Sequence, residues 1–491
     1  MRTIPLLPLA AVATAVLFFF GTGLHPVWML TWLAPLPVLL ACPWVSRRGA
    51  FLAAAIAWFV GSLNVWHYLL SNFAPLPLAF VFSAVPACLF GADVLLFRTF
   101  VLRGALWKAA LVFPAFWVAL EYLNNVSSPN ATFSNLAYNQ MNFLPILQIA
   151  SLTGIWGISF CVCLLPAVVA AALDARAPAA KRRALASGAA VVLAAVIGFG
   201  LWRLNSTPAP VATVRVGLTA TGIGTTFPHN DGAALPLFTK YADEAASLAR
   251  QGARLIILPE KIGVVSDAAT PQVDSLFASA ATETQASILV GLDRGAAACR
   301  WNEARLYAPD RGLIAVYDKH HMVPVLENAD RPGTSITVLS DHPGTWGIQI
   351  CKDLDFPALS RQYGARRIGL LLAPSWDFTQ DAWLHGRMAV LRGVESGFTI
   401  VRSAKQGLLT VSDDRGRILA ERDASSQQLG SLVATAPIRH SDTLYQHCGD
   451  WFAWLSAALA IFLVIDTLTR RGSPSATVSF PTAPPARFPL C

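Results

Sequence analysis

The sequence predicts an α-helical transmembrane bundle of eight membrane spans plus an α/β domain inserted before the last span. Three observations carry this. The chain is 54% hydrophobic and only 13% charged over 491 residues, too apolar for an ordinary soluble protein. The apolar excess is concentrated before residue 204 and again near 450–468, while 205–449 has soluble composition. Basic residues also recur on every second connection between the apolar runs.

A spanning helix needs about 20 mostly apolar residues. Runs of that kind lie near 4–20, 24–43, 51–71, 77–97, 105–122, 146–172 and 184–203, then 450–468. Arg2, Arg47 with Arg48, the Arg98/Arg103/Lys108 group, Arg176 with Lys181 to Arg183, and Arg470 with Arg471 fall on alternate connections, whereas 21–23, 72–76 and 123–145 carry no Lys or Arg. By the positive-inside rule both ends face the cytoplasm. The expected organisation is a membrane domain 1–204 of seven spans, an outer domain 205–449, a span 450–468 and a disordered tail 469–491. In a bacterium this is a multi-pass protein of the inner membrane with its large domain in the periplasm. The net charge of +8 is largely this topogenic signal, which disfavours a nucleic-acid partner.

The outer domain alternates β-rich runs such as "RLIILPE", "LIAVYDK", "WGIQIC" and "GLLLAPSW" with helical stretches, the pattern of a layered α/β domain. In 381–395, Leu384, Met388, Leu391 and Glu395 recur at helical spacing. Three reactive groups end strands: Glu260 after "RLIIL", Lys319 after "LIAVYD" and Cys351 after "WGIQI". A carboxylate left unpaired at a buried strand end is costly, so Glu260 is either solvated or partnered. The three are chemically complementary. A thiol needs a base, a carboxylate serves as one, and an ammonium stabilises an oxyanion. The bland alternative is that each is a cap, a surface charge or a core thiol, and spacing alone does not exclude it. The pair His320-His321 points to opposite faces of an extended chain. The eight Cys show no metal-ligand spacing, so no metal and no cofactor is expected.

Together "LPEK", "YDKHHMVP" and "ICKDLDFP" resemble the three motifs of the nitrilase (carbon-nitrogen hydrolase) superfamily, whose triad is Glu-Lys-Cys in this order. Seven preceding spans and one following span make the chain similar to the apolipoprotein N-acyltransferase family within it. "NLAYNQ" resembles that family's Gly-Tyr-x-Gln segment, which brings in Tyr138 and Gln140. "KHHMVPVLE" resembles its lysine segment, which brings in Glu327. "SWDFTQDAW" resembles a further segment containing Trp376. Lys261 and the Lys352-Asp353 pair stand where the family usually carries other residues.

The resemblance implies a nitrilase-like αββα sandwich on the outer membrane face. Cys351 would accept an acyl chain from a phospholipid as a thioester and pass it to the amine of a diacylglyceryl-cysteine apolipoprotein. Glu260 would be general base and acid, and Lys319 and the N–H after Cys351 would hold the oxyanion. Glu327, Asp353, Trp376, Tyr138 and Gln140 would support or line the site. A monomer is favoured. The alternative is a membrane-tethered amidase or nitrilase-type hydrolase of small carbon–nitrogen compounds, with the same triad. A non-catalytic assembly module is disfavoured by the retained Glu, Lys and Cys.

Overall fold

The computed structural model describes residues 6–223, 227–296, 299–340, 342 and 344–469; the predicted tail, apart from Thr469, lies outside the described residues. Six helices among them are long and apolar enough to cross a membrane: Arg47–Asn72, Leu76–Leu102, Leu106–Ser127, Ile155–Ala172, Ala179–Asn205 and Trp451–Thr469. They correspond to six of the eight expected spans, and the first two runs are shorter or broken. The first apolar run forms the 16-residue helix Leu6–Gly21. The second is broken into Trp28–Thr31, Leu36–Ala41 and the 3-10 turn Cys42–Trp44. Its sequence explains the breaks, because Pro35, Pro37 and Pro43 remove donors and clash with a continuous helix. Arg98 satisfies two of the carbonyls left open there, donating to Cys42 O at 2.8 Å and Val45 O at 2.6 Å.

The predicted run 146–172 is also not one rod. Short helices occupy Leu144–Leu147 and Ala150–Thr153, and the spanning helix starts at Ile155. Gly154 makes the join with φ of +66°, a left-handed conformation that glycine adopts at little cost. A second glycine sets a helix contact. At Gly200 on Ala179–Asn205, a Cβ would overlap the carbonyl oxygen of Pro145. Replacing Gly200 by Ala should therefore push that helix outward and destabilise the protein by about 1–3 kcal/mol, as overpacking does. A thermal scan of the detergent-solubilised variant checks this; an unchanged midpoint would refute the close approach.

Between the fifth and sixth of these helices lies a two-sheet sandwich. Its strands are β1 (Ala212–Ala220), β2 (Leu255–Ile257), β3 (Val264–Val265), β4 (Ser287–Ala296), β5 (Cys299–Ala308), β6 (Gly312–Asp318), β7 (Thr337–Leu339), β8 (Trp346–Ile348), β9 (Leu370–Trp376), β10 (Thr399–Lys405), β11 (Leu408–Ser412), β12 (Ile418–Asp423) and β13 (Gly430–Ile438). One sheet runs β13-β1-β2-β4-β5-β6 with β3 beside β4, and the other runs β12-β11-β10-β9-β8-β7. The inner faces bury Val216, Leu218, Ile257, Leu289 and Leu306 against Ile348, Ile350, Leu372, Val401 and Leu409. Helices Asp231–Arg250 and Thr270–Thr284 cover the outer face of the first sheet. Helices Pro357–Ala365 and Ala382–Ser396 cover the second. The layering is αββα, as the sequence resemblance implies.

The helix Ala382–Ser396 joins the two parts of the molecule. Its stripe Leu384, Met388 and Leu391 packs with Tyr138, Ile146, Ile155 and Trp156 of the apolar region. Glu395, the polar member of that stripe, accepts the Ile155 N–H at 2.8 Å, one of the donors that a helix start leaves open. Gln148 ties across the same boundary, donating to Arg415 O at 2.9 Å, and Trp156 Nε1 donates to Asp450, at the start of the last long helix, at 2.7 Å.

Candidate active site

Two of the reactive groups sit just past the parallel strands β2 and β8, and the third just past β6 at the edge of its sheet. Glu260 follows β2 and is 2% exposed. Lys319 follows β6 and is 1% exposed. Its Nζ donates to Glu260 Oε1 at 2.8 Å and to Glu327 Oε1 and Oε2 at 3.0 and 2.9 Å. Glu260 is thus partnered, which settles the alternative left open by the sequence. Its Oε1 is shared with Asn302 Nδ2 at 2.6 Å, whereas Oε2 is buried with no hydrogen-bond partner among the described residues.

Cys351 follows β8 at the first position of a 3-10 turn with φ of +44°. A non-glycine residue is strained there. Two features hold the turn. Its thiol points to Trp376 O at 3.4 Å. Asp353, fully buried, gathers the neighbouring backbone: it accepts from the N–H of Ile350 at 3.2 Å, His320 at 3.1 Å and His321 at 2.9 Å, and from the Tyr317 hydroxyl at 2.7 Å. One carboxylate therefore clamps the cysteine turn to the segment after Lys319. His321 Nδ1 also lies 3.0 Å from Asp353, so this histidine is a spacer against the clamp.

The electrostatics follow from burial and neighbours. Burial alone would lower Lys319, but Glu260, Glu327 and the thiol outweigh it and hold the ammonium well above the ordinary lysine range. Burial would raise Glu327, yet Lys319 and Lys261 hold it down at about 2. Burial and the nearby Glu260 carboxylate push the Cys351 thiol well up, with Lys319 partly opposing them. Burial and the Glu260 carboxylate thus both favour the protonated form of the thiol.

Several contributors escaped the sequence reading. Asn302 joins Glu260 to Glu327, donating to the latter at 3.1 Å. It lies on β5 with Ala304 and Leu306, all fully buried; a lone amide on the apolar face of an alternating strand was the available signal. Lys261 adds no free charge beside the base. It turns away at φ of +48° and pairs with Glu327 at 2.8 Å, Asp293 at 3.3 Å and Asp330. Lys405, at the end of β10, is 1% exposed.

The remaining predicted residues lie around this centre. Trp376 supplies its carbonyl to the thiol, and its ring packs 5.6 Å from Phe227. Lys352 donates to Asn130 Oδ1 at 3.0 Å, and Thr132 donates to Asp355 O at 2.6 Å, so the cysteine turn rests on the loop between the third and fourth long helices. Tyr138 supports that loop through its hydroxyl, 2.6 Å from Thr132 Oγ1 and receiving Arg392 at 3.0 Å. Gln140 stands apart from the triad. It accepts from Trp32 Nε1 at 2.6 Å and donates to Trp28 O at 3.1 Å, bracing the broken second segment. Cys299 and Cys448 are unpaired thiols.

Asp377, Asp381 and His385 bring three ligand-type atoms within 4.8 Å of one another. The two carboxylates are already engaged. Arg402 forms a two-pronged pair with Asp377, and Tyr68 donates to Asp381 at 2.5 Å. Burial would lower His385, but Asp381 and Asp377 raise it to about 10, so the imidazolium is held between two carboxylates.

Residues 14–168 match the apolipoprotein N-acyltransferase N-terminal domain, and residues 226–441 match the carbon-nitrogen hydrolase family. The chain is similar to an apolipoprotein N-acyltransferase of Geobacter metallireducens, 26% identical over 92% of this chain and 93% of that protein. It is also similar to one of Vibrio vulnificus, 25% identical over 92% and 96%. Among solved structures, an amidase from Nesterenkonia sp. superposes with a TM-score of 0.40 at 22% identity, covering 49% of this chain and 94% of that one.

Proposed function

The chain belongs to the apolipoprotein N-acyltransferase family, and from that premise we propose that it moves a fatty acyl chain from a phospholipid, through a thioester on Cys351, to the N-terminal amine of a diacylglyceryl-cysteine lipoprotein. The observation that carries this reading is the Glu260 carboxylate: one oxygen is tied to Lys319 and Asn302, the other is buried and free.

In the first half-reaction the free oxygen of Glu260 takes the Cys351 proton as sulfur attacks the ester carbonyl of the donor. The Lys319 ammonium, held charged by two carboxylates, stabilises the oxyanion that forms. Expulsion of the lysophospholipid alcohol returns the proton from Glu260 to the leaving oxygen. In the second half-reaction the acceptor amine gives its proton to Glu260 while its nitrogen attacks the thioester. The departing sulfur recovers that proton. Splitting ester-to-amide exchange across a thioester replaces one hard step by two easier ones. Both substrates are lipids, so the long apolar helices deliver them in two dimensions to a monomeric enzyme at the outer, periplasmic face of the inner membrane.

The test is a two-stage labelling of the full chain in detergent. Phospholipid bearing a labelled acyl chain should give a hydroxylamine-labile adduct on the Cys351 peptide. A diacylglyceryl lipopeptide added afterwards should carry the label away as an amide. Ammonia released from small amides, with no acyl adduct, would establish the hydrolase reading instead.

A further inference from the structure

Lys405 is a buried amine that the steps above do not use. Its strand end pairs in parallel with that of β9, residue for residue with Trp376. The Nζ stands 3.6 Å from the centre of the Trp376 ring and 5.6 Å from that of Phe227, and it donates to the backbone carbonyl of Lys261. An ammonium over two aromatic faces is attracted to both, and more strongly when desolvated. The two groups it touches belong to opposite halves of the site. Lys261 completes the turn that carries Glu260. Trp376 presents the carbonyl that receives the Cys351 thiol. A backbone bond from Glu260 N–H to Ser375 O, at 3.3 Å, runs alongside.

We infer that Lys405 is a positioning residue for the acyl transfer: its ammonium fastens the Glu260 turn to the strand end that holds the Cys351 thiol. This rests on the proposed Glu260–Cys351 chemistry but not on the identity of the acyl donor. The ionisable groups facing Lys405 are Glu260 and Lys261 from the turn after β2 and Asp293 from β4. Burial pushes the amine down to about 7, with Glu260 and Asp293 partly opposing. The charge that grips the ring is accordingly present below neutrality and lost above it.

The experiment measures alkylation of Cys351 by iodoacetamide in the full-length detergent-solubilised protein, read on the Cys351 peptide by mass spectrometry at pH 6 and pH 8.5. Lys405→Met keeps the apolar stem and removes the charge. The ratio of wild-type to Met-variant rates should be about tenfold at pH 6 and fall below about threefold at pH 8.5, following the loss of the charged form. Lys405→Arg keeps a charge throughout, so its rate relative to wild type should climb with pH. A ratio near one at both pH values, or a deficit that does not change with pH, would mean ordinary packing and overturn the assignment. If the Met variant does not fold, the Arg comparison decides alone, and an Arg-to-wild-type ratio constant with pH overturns it. Because alkylation needs no lipid, the result stands apart from failure of the acyl-transfer reading, which would show as alkylation without an acyl adduct.

Discussion

Replacing Cys351 by Ala is expected to abolish acyl-adduct formation and to lower lipopeptide acylation by at least about a thousandfold, the scale on which removal of an enzyme nucleophile is felt. The fold should survive. Cys351 is half-buried and its thiol makes a single weak hydrogen bond, to Trp376 O. The turn around it is held by Asp353, which the substitution leaves in place. Relief of crowding is small, since Ala at φ of +44° keeps most of the strain of that backbone. The variant should therefore still bind phospholipid, and a lipid retained after size-exclusion separation would show an intact but silent site. Acylation above about one per cent of wild type would remove Cys351 from the chemistry.

The second large effect is expected at Lys319. Lys319→Met removes the cation between Glu260 and Glu327, leaving two buried carboxylates bridged by Asn302, with Lys261 still paired to Glu327 and Lys405 facing Glu260. Breaking a buried pair from one side costs about 3–5 kcal/mol, so both activity and the thermal midpoint should fall sharply. The pH dependence follows from Glu327. In the wild type its carboxyl is held down at about 2; that stabilisation is complete above the unfolded carboxylate range and is lost as pH falls through 2. Without Lys319, burial is less opposed and the same carboxyl moves upward. The variant gains a proton there in the folded state, so its deficit should be greatest near pH 8 and shrink toward pH 5. Midpoints of variant and wild type measured across that range check the sign. A deficit that grows on acidification would contradict the placement of Lys319 between the two acids.

How legible all this was in the sequence depends on distance along the chain. Glu260, Lys319 and Cys351 announce themselves because each ends a short apolar run, and a polar group at that place asks for a partner. The αββα layering follows from alternating strand and helix signals together with the motif resemblance. Hydropathy reads the second run as one continuous rod, since it averages over Pro35, Pro37 and Pro43 while a helix responds to each one. It also runs through Gly154, where the backbone turns. The partners of Asn302, Lys261 and Lys405 were out of reach for a different reason. They lie on other strands, and only the register of both sheets decides that Asn302 meets Glu260 or that Lys405 stands over Trp376.

The bond from Ile155 N–H to Glu395 spans 240 residues of sequence. Its order of synthesis has a consequence. When the helix that begins at Ile155 leaves the ribosome, the acceptor for its opening turn has not yet been made, and neither has the stripe of Leu384, Met388 and Leu391 that covers Trp156. The helix at Ile155 thus waits, with one flank uncovered, until most of the sandwich has been translated. Docking of Ala382–Ser396 onto that flank is accordingly a late event in the maturation of this chain.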